Sequence, residues 1–314
     1  MHVWEMAMDQ KNRFQNVAVL MGGISAERDI SLRSGAAAVA GLQACGYTVT
    51  SLDLQEAVLE LPDNVEAVFL ALHGTFGEDG TVQAELARRG IPFTGSGERA
   101  SRLAMDKAAA KCCWERAGIP TAPFGVLSHP EVSPLHFPVV VKPVAQGSSI
   151  GVHLVQRPED WDAALKDAFA YDVRVMVEAY IAGREVTVGI LDGTALPVVE
   201  IVAPDGWYGF GAKYMTGDTR YDVPADLPAD MAAHLQTIAL QAFDALGCKG
   251  FGRVDFRLPD DGEAMVLEVN TIPGLTETSL LPKSAAAAGI SFDQLCRRIM
   301  ETAAVDCREE ATHG

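Results

Sequence analysis

Apolar and polar residues alternate in two different rhythms along this chain. Up to about residue 103, short apolar runs alternate with stretches of helical spacing. Val17–Met21 is a continuous apolar run of the kind buried on both faces of a sheet. Ser25 can cap a following helix that runs to about Cys45, where Gly46 ends it. Tyr47–Leu52 and Ala67–Leu72 predict two more strands, and "EDGTVQAELARRG" predicts a helix closed by Gly90. This βαβαβ order predicts an open parallel sheet covered by helices.

Beyond residue 104 the texture changes. A helix over 106–117 precedes strands at 123–127, 138–142, 152–155 and 173–178, with a helix at 158–169 begun by Pro158. Trp161, Leu165 and Ala168 give that helix a buried stripe. Strands at 185–191 and 195–203 lead into an irregular Gly/Tyr-rich stretch at 204–224, then a helix at 228–247. Strands 252–258 and 264–270 flank "PDDGE". A helix begins near Thr278, Gly289 closes "SAAAAGI", and a last helix spans 291–307. This part reads as α+β with much antiparallel pairing. Boundaries near 104 and 183 divide the chain into units 16–103, 104–183 and 184–314, after a loose extension over 1–15.

Composition narrows the partners. The 314 residues carry 25 basic and 42 acidic side chains, a formal charge of −17. Such a surface repels nucleic acid and anionic lipid, so an anionic substrate must be met by a few local Lys and Arg. The six cysteines show neither a CxxC pair nor zinc spacing, which suits reduced thiols in a cytoplasmic protein. No signal peptide or membrane-spanning segment is expected.

The hairpin "GRVDFRLPDDGEAMVLEVN" carries the strongest chemical signal. Centring the turn on Asp261-Gly262 sets Asp255 opposite Glu268. Strand alternation then puts Arg253, Asp255, Glu268 and Asn270 on one face. Opposed carboxylates destabilise a ladder unless something positive sits between them. Two carboxylates and an amide oxygen suit Mg²⁺; a solvent-facing edge with scattered charges is the plain alternative.

Other stretches are weaker alone. In "VVVKPVAQGSSIGVHLV", Lys142 ends a strand before a loop with Gly147, Ser148, Ser149 and Gly151, whose N–H groups and hydroxyls could cover phosphates. No GxxxxGK[ST] occurs, so this is not a P-loop. Lys107 and Lys213 are further candidate phosphate cations, although a lone Lys is usually solvated. "GSGERA" matches a dinucleotide fingerprint, but lies far from the first βα turn. His73 in "LHGTFGEDG" ends a sheet strand, where ligands of open α/β sheets gather; a buried structural His is the alternative. In "NTIPGLTETSLLPK", N–H groups near Gly274 and a helix start could bind an anion. "VAVLMGGISAERDISLRSG" looks like a phosphate turn, yet it places the anionic Glu27 where donors belong.

Nine blocks in order, from "GGISAERDISLRSG" and "HGTFGEDG" through "FTGSG", "AMDK", "VKPVAQGSSIGV", "VEAYIAGREVTVGIL", "AKYMTGDTRY" and "GRVDFR" to "LEVNTIPGLTETSLLPK", resemble the D-alanine–D-alanine ligases of the ATP-grasp superfamily. The resemblance implies a three-domain fold: an N-terminal open parallel α/β sheet, a small central α+β domain and a C-terminal α+β domain with an antiparallel sheet. It implies ATP-dependent joining of two D-alanines through an acyl phosphate, for peptidoglycan precursors, in a cytoplasmic homodimer. Asp255, Glu268 and Asn270 would hold two Mg²⁺ (or Mn²⁺) ions. Lys107, Lys142 and Lys213 would contact the ATP phosphates beneath the loop of Gly147, Ser148 and Ser149. Glu178, Ile181 and Glu185 would hold adenine and ribose. Glu27 would pair with the first D-alanine ammonium, with His73 beside it. Arg253 and the Gly274 N–H would form the oxyanion site, and Ser279 and Leu280 would bind the second carboxylate. Ser148 and Tyr214, bonded with Glu27, would join the loops over the substrates. "WYGFGAKYMTG" resembles a closing loop, with Gly209 and Gly211 where acidic residues are commoner in relatives. Extra charge at Glu98, Arg99 and Arg102 has no assigned role. Tyr214 favours an amine over the hydroxyl of an ester-forming ligase. A catalytically silent binding protein is disfavoured by the full metal set and Arg253, and a purely structural protein by the paired carboxylates.

Overall fold

The computed structural model describes residues 12–203, 219–260 and 262–306. Lys213, Tyr214, Gly209, Gly211, the rest of "WYGFGAKYMTG" and the turn residue Asp261 lie outside the described residues.

Three sheets organise the chain. Strands β1 (Asn16–Gly22), β2 (Thr48–Leu54) and β3 (Ala67–Leu70) form a parallel sheet in the order β2-β1-β3. Helix α1 (Arg28–Ala44) crosses from β1 to β2, and α2 (Thr81–Arg88) follows β3. Helices α3 (Glu98–Met105) and α4 (Lys107–Ala117) lead to a four-stranded antiparallel sheet. It contains β4 (Phe124–Leu127), β5 (Val139–Pro143), β6 (His153–Val155) and β7 (Val175–Ala179) in the order β4-β7-β5-β6, with α5 (Trp161–Ala168) between β6 and β7. The third sheet is antiparallel: β8 (Arg184–Leu191), β9 (Thr194–Ala195), β10 (Val199–Val202), β11 (Arg220–Asp222), β12 (Phe251–Leu258) and β13 (Met265–Asn270), with α6 (Ala229–Ala245) between β11 and β12. Helices α7 (Leu280–Ala287) and α8 (Phe292–Glu301) close the chain. The expected fold class, with one parallel and two antiparallel sheets, is the one observed.

Local differences have local causes. Helix α1 begins at Arg28 rather than directly after Ser25, whose hydroxyl accepts from Glu27 N at 3.2 Å and donates to the His73 carbonyl at 2.7 Å in the turn before it. Helix α2 begins only at Thr81, since the Asp79 carboxylate ties the N–H groups of Phe76 and Thr81 into a turn. The strand expected over 195–203 breaks at Leu196-Pro197-Val198 into β9 and β10. Helix α8 stops at Glu301, and Ala304 pairs back to Phe93. Helix α3 has no counterpart in the sequence reading.

The apolar cores do not follow chain order. The parallel sheet shares its core with Leu275, Leu281, Leu295, Cys296, Ile299 and Met300 from the C-terminal end. Helices α3 and α4 pack through Ala104 and Trp114 against α6 and the third sheet, while Ala108 on another side of α4 meets Met176 and Phe124 of the four-stranded sheet. Trp114 is fully buried and donates its indole N–H to the Ala242 carbonyl at 3.0 Å. Trp114→Ala should therefore destabilise the fold by about 3–5 kcal/mol in chemical denaturation; a loss below about 1 kcal/mol would show that α4 is not part of this core.

Candidate functional site

A cleft opens between the four-stranded sheet and the β12–β13 hairpin. Lys107, Lys142, Gly147, Ser149, Glu178, Ile181, Glu185, Asp255 and Glu268 all line it. Residues dispersed over 160 positions thus meet on one surface.

On the hairpin, Asp255 pairs with Glu268 and Arg253 with Asn270, as expected. A bulge after Asp255 then shifts the pairing by one residue. The Asp255 carboxylate accepts from Arg253 Nε and Nη2 at 2.8 and 2.9 Å, from Asn270 Nδ2 at 3.0 Å and from Thr187 Oγ1 at 2.5 Å. Lys107 Nζ lies 3.6 Å from Glu268. Two hard carboxylates and an amide are gathered on a rigid ladder, and cationic side chains already balance their charge. That donor set fits a hard divalent cation.

Lys107 reaches the cleft because Asp106 caps α4, accepting from Ala109 N at 2.9 Å, and is itself gripped by Arg174 at 2.7 Å. Lys107 Nζ also donates to the Gln146 carbonyl at 2.6 Å, which braces the glycine loop. In that loop Ser148 and Ser149 both have positive φ, 53° and 56°. Two consecutive non-glycine residues in this region are strained, as is common where loops clamp ligands.

Deeper in the cleft, Glu178 holds two ammonium groups. Lys142 lies 2.7 Å from one oxygen and the fully buried Lys111 2.5 Å from the other. Burial alone would push the Glu178 carboxyl up, but Lys142 and then Lys111 pull it below its ordinary value. Its Oε1 has the ion pair without an aligned hydrogen bond, so it keeps accepting capacity. Arg257 organises the 180–185 turn by donating to the carbonyls of Ile181 and Gly183 at 3.0 and 2.9 Å and pairing with Glu185 at 3.2 Å.

A second group of residues adjoins the inner end. Ser148 donates to Glu27, so the glycine loop touches the N-terminal cap of α1. Gly74 and Gly147 permit this: a Cβ at either would come within 3 Å of Glu27 Oε2. Glu78 accepts from Gly74 N at 2.7 Å. Burial, and then the facing Glu27 carboxylate, push the Glu78 carboxyl above its ordinary range. His73 is buried, and its Nε2 lies 3.2 Å from Ser34 Oγ. Ser279 occupies the N-cap position of α7, its hydroxyl accepting from Thr276 N at 3.0 Å rather than from the helix, and Leu280 is the first helical residue. Gly274 packs so closely that a Cβ there would meet Ser279 Oγ at 2.8 Å. Sequence reasoning assigned no role to Ser34, Glu78, Lys111, Thr187 or Arg257. Arg257 was open to inference, lying two residues beyond Asp255 on the same strand face.

Family models for the "D-ala D-ala ligase N-terminus" and "D-ala D-ala ligase C-terminus" match residues 54–96 and 113–301. The chain belongs to the D-alanine–D-alanine ligase family. It is 48% identical to the D-alanine–D-alanine ligase of Methylacidiphilum infernorum over 91% of this chain and 95% of the relative. The ligase of Syntrophotalea carbinolica is 47% identical over 94% and 98%. A crystal structure of the Bacillus anthracis D-alanine–D-alanine ligase, complexed with ATP, matches with a TM-score of 0.81 and 35% identity, covering 92% of this chain and 97% of that one.

The family's "HGTFGEDG" block contains one group with a marked proton preference. Burial pulls the His73 imidazole down to about 4 from an ordinary 6.5, against a hydrogen bond to the Ile272 backbone and with Arg253 adding to the fall. The unfolded chain binds this proton more readily, so the contribution to stability is complete above pH 6.5 and is lost as pH falls through about 4. Imidazole nitrogen NMR should show the ring neutral down to about pH 4; protonation near 6.5 would contradict the buried setting.

Proposed function

We propose that this protein joins two D-alanines into D-alanyl-D-alanine in an ATP-dependent reaction, for peptidoglycan precursors in the cytoplasm. The observation that carries the reading is the junction at Ser148. There a cleft lined by Lys107, Lys142 and the Asp255–Glu268 hairpin meets the carboxylate of Glu27. A triphosphate and a small ammonium-bearing acid would lie side by side.

In this reading the first carboxylate attacks the γ-phosphate, forming D-alanyl phosphate and releasing ADP. The amine of the second D-alanine then attacks that carbonyl, and phosphate leaves. Lys107 and Lys142 meet the phosphates, Lys142 by turning from Glu178, and Lys213 would join them. The loop of Gly147, Ser148 and Ser149 covers them. Glu178, still paired with Lys111, accepts from the adenine amine, while Ile181 and Glu185 hold base and ribose. Asp255, Glu268 and Asn270 would hold Mg²⁺ or Mn²⁺, which supplies charge neutralisation for the transferring phosphoryl oxygens. Glu27 receives the first ammonium, with His73 on the buried side. Arg253 and the Gly274 N–H stabilise the tetrahedral oxyanion. Ser279 and the N–H of Leu280 take the second carboxylate at the start of α7. Tyr214 would close the set over Glu27 and Ser148. A homodimer is part of the same reading. No described helix is long and apolar enough to cross a membrane.

ADP and phosphate release should require Mg²⁺ and D-alanine and should fail with L-alanine, with D-lactate a poor second substrate. No turnover with D-alanine and Mg²⁺ overturns the reading. Glu27→Gln should raise KM for the first D-alanine by about 10-fold or more, as expected for a lost charged hydrogen bond, with KM for ATP nearly unchanged. Equal losses would place Glu27 elsewhere. Asp255→Asn should cut kcat on the order of 100-fold at limiting Mg²⁺; an unchanged kcat rejects the metal role of the hairpin.

A further inference from the structure

Helix α1 carries a polar stripe on a buried face. Glu27 at its cap, Ser31 and Ser34 are spaced i, i+4 and i+7 and so lie on one side. Ser31 and Ser34 are both fully buried. A buried hydroxyl is costly unless it is bonded, so the partners show what each is for. Ser31 bonds within its own unit, donating to the Ala71 carbonyl at 2.8 Å. Ser34 reaches the other end of the chain: its Oγ accepts from Leu275 N at 3.1 Å and lies 3.2 Å from His73 Nε2. With Leu275 as donor, the Ser34 hydrogen is left for the neutral imidazole. His73 in turn hydrogen-bonds the Ile272 backbone. Glu78 Oε1 accepts from Ile272 N in a long bond of 3.4 Å.

Both ends of the segment Ile272–Leu275 are therefore tied to the N-terminal unit. Within it Pro273 has no N–H. Ile272 N is held by Glu78 and Leu275 N by Ser34. Among the described residues, the Gly274 N–H is the one donor of this segment left without a partner. A bonded Leu275 N–H fixes the peptide plane next to Gly274, and with it the direction of the free N–H.

We propose that Ser34 is a positioning residue for the oxyanion donor: by holding Leu275 N it aims the Gly274 N–H at the reacting carbonyl. This rests on the ligase reading above and adds a residue to it. Because Ser34 and Glu27 share one helix face, the element that receives the first ammonium also sets the donor for the tetrahedral intermediate. The seat of the first substrate and the stabiliser of its carbonyl oxygen are then fixed relative to each other by one rigid helix.

The test separates the two half-reactions. D-Alanyl phosphate formation is read as positional isotope exchange in ATP labelled at the β–γ bridging oxygen, and ligation as D-alanyl-D-alanine release. Ser34→Ala removes a single oxygen, and its folding is checked by thermal unfolding. It should lower the ligation kcat about 10–100-fold, the loss expected from misplacing a donor by about 1 Å. KM for ATP should stay within about twofold and isotope exchange near wild type, because the oxyanion forms only in the second half-reaction. If Ser34→Ala does not fold, Ser34→Cys keeps the shape while weakening both bonds and permits the same comparison. A ligation rate equal to wild type, or equal falls in exchange and ligation, overturns the inference. Wild-type protein that performs neither half-reaction overturns the ligase reading itself and this inference with it.

Discussion

Two carboxylates face each other across the β12–β13 ladder, and much of the surrounding structure answers to that fact. At a cross-strand spacing of roughly 5 Å, two unit charges repel by about 3 kcal/mol at an effective dielectric near 20. The fold does not leave this uncompensated. Arg253 takes Asp255 with two hydrogen bonds, Thr187 and Asn270 add two more, and Lys107 stands near Glu268. Each of these groups comes from a different turn or strand of the architecture. Lys107 reaches the hairpin because Asp106 caps α4, and Thr187 because β8 pairs with β12 in register. The site proposed for a divalent cation and a polyphosphate is thus also a structural crossroads.

The same crossroads explains why the cores ignore chain order. The cleft takes its walls from two antiparallel sheets, and Glu27 beside it comes from the helix that covers the parallel one. The C-terminal helix α8 returns to pack on the first sheet, and α3 and α4 pack on the third. These returns bring Ile272–Leu275 against His73 and Ser34, far apart in sequence and adjacent in space. In the proposed reaction, a substrate held by one unit reacts under a donor from another. The glycine loop bridges them through Ser148 and Glu27, at the cost of backbone strain at Ser148 and Ser149.

Proton affinities divide along the same lines. Glu178 is kept ionised although buried, because two lysines face it. Glu78 is driven the other way by burial and by Glu27. His73 is held neutral. A neutral imidazole can accept the Ser34 hydrogen; an imidazolium could not. Burial thus selects the charge, and the bond to the Ile272 backbone the tautomer, on which the Ile272–Leu275 segment depends.

Much of this was legible in the residues themselves. The hairpin signal and strand alternation placed Asp255 opposite Glu268, whereas the bulge after Asp255, which shifts the pairs nearer the turn by one residue, was not legible. The helical and strand periods determined a parallel sheet followed by an α+β part with much antiparallel pairing, and the ordered motif blocks determined the family. What the sequence did not contain was decided by contacts between distant segments. Helix α3 was hidden in a charged stretch whose small apolar face gains meaning only against α4 and the third sheet. Lys111 carried no signal in the sequence, and the fold buries it against Glu178. Ser34 carried none either, and Leu275 and His73 close around it only in the folded chain. Local pattern records what a residue can do with its neighbours in the chain. Burial and long-range hydrogen bonding decide which of those capacities are used, and they exist only once the chain has folded.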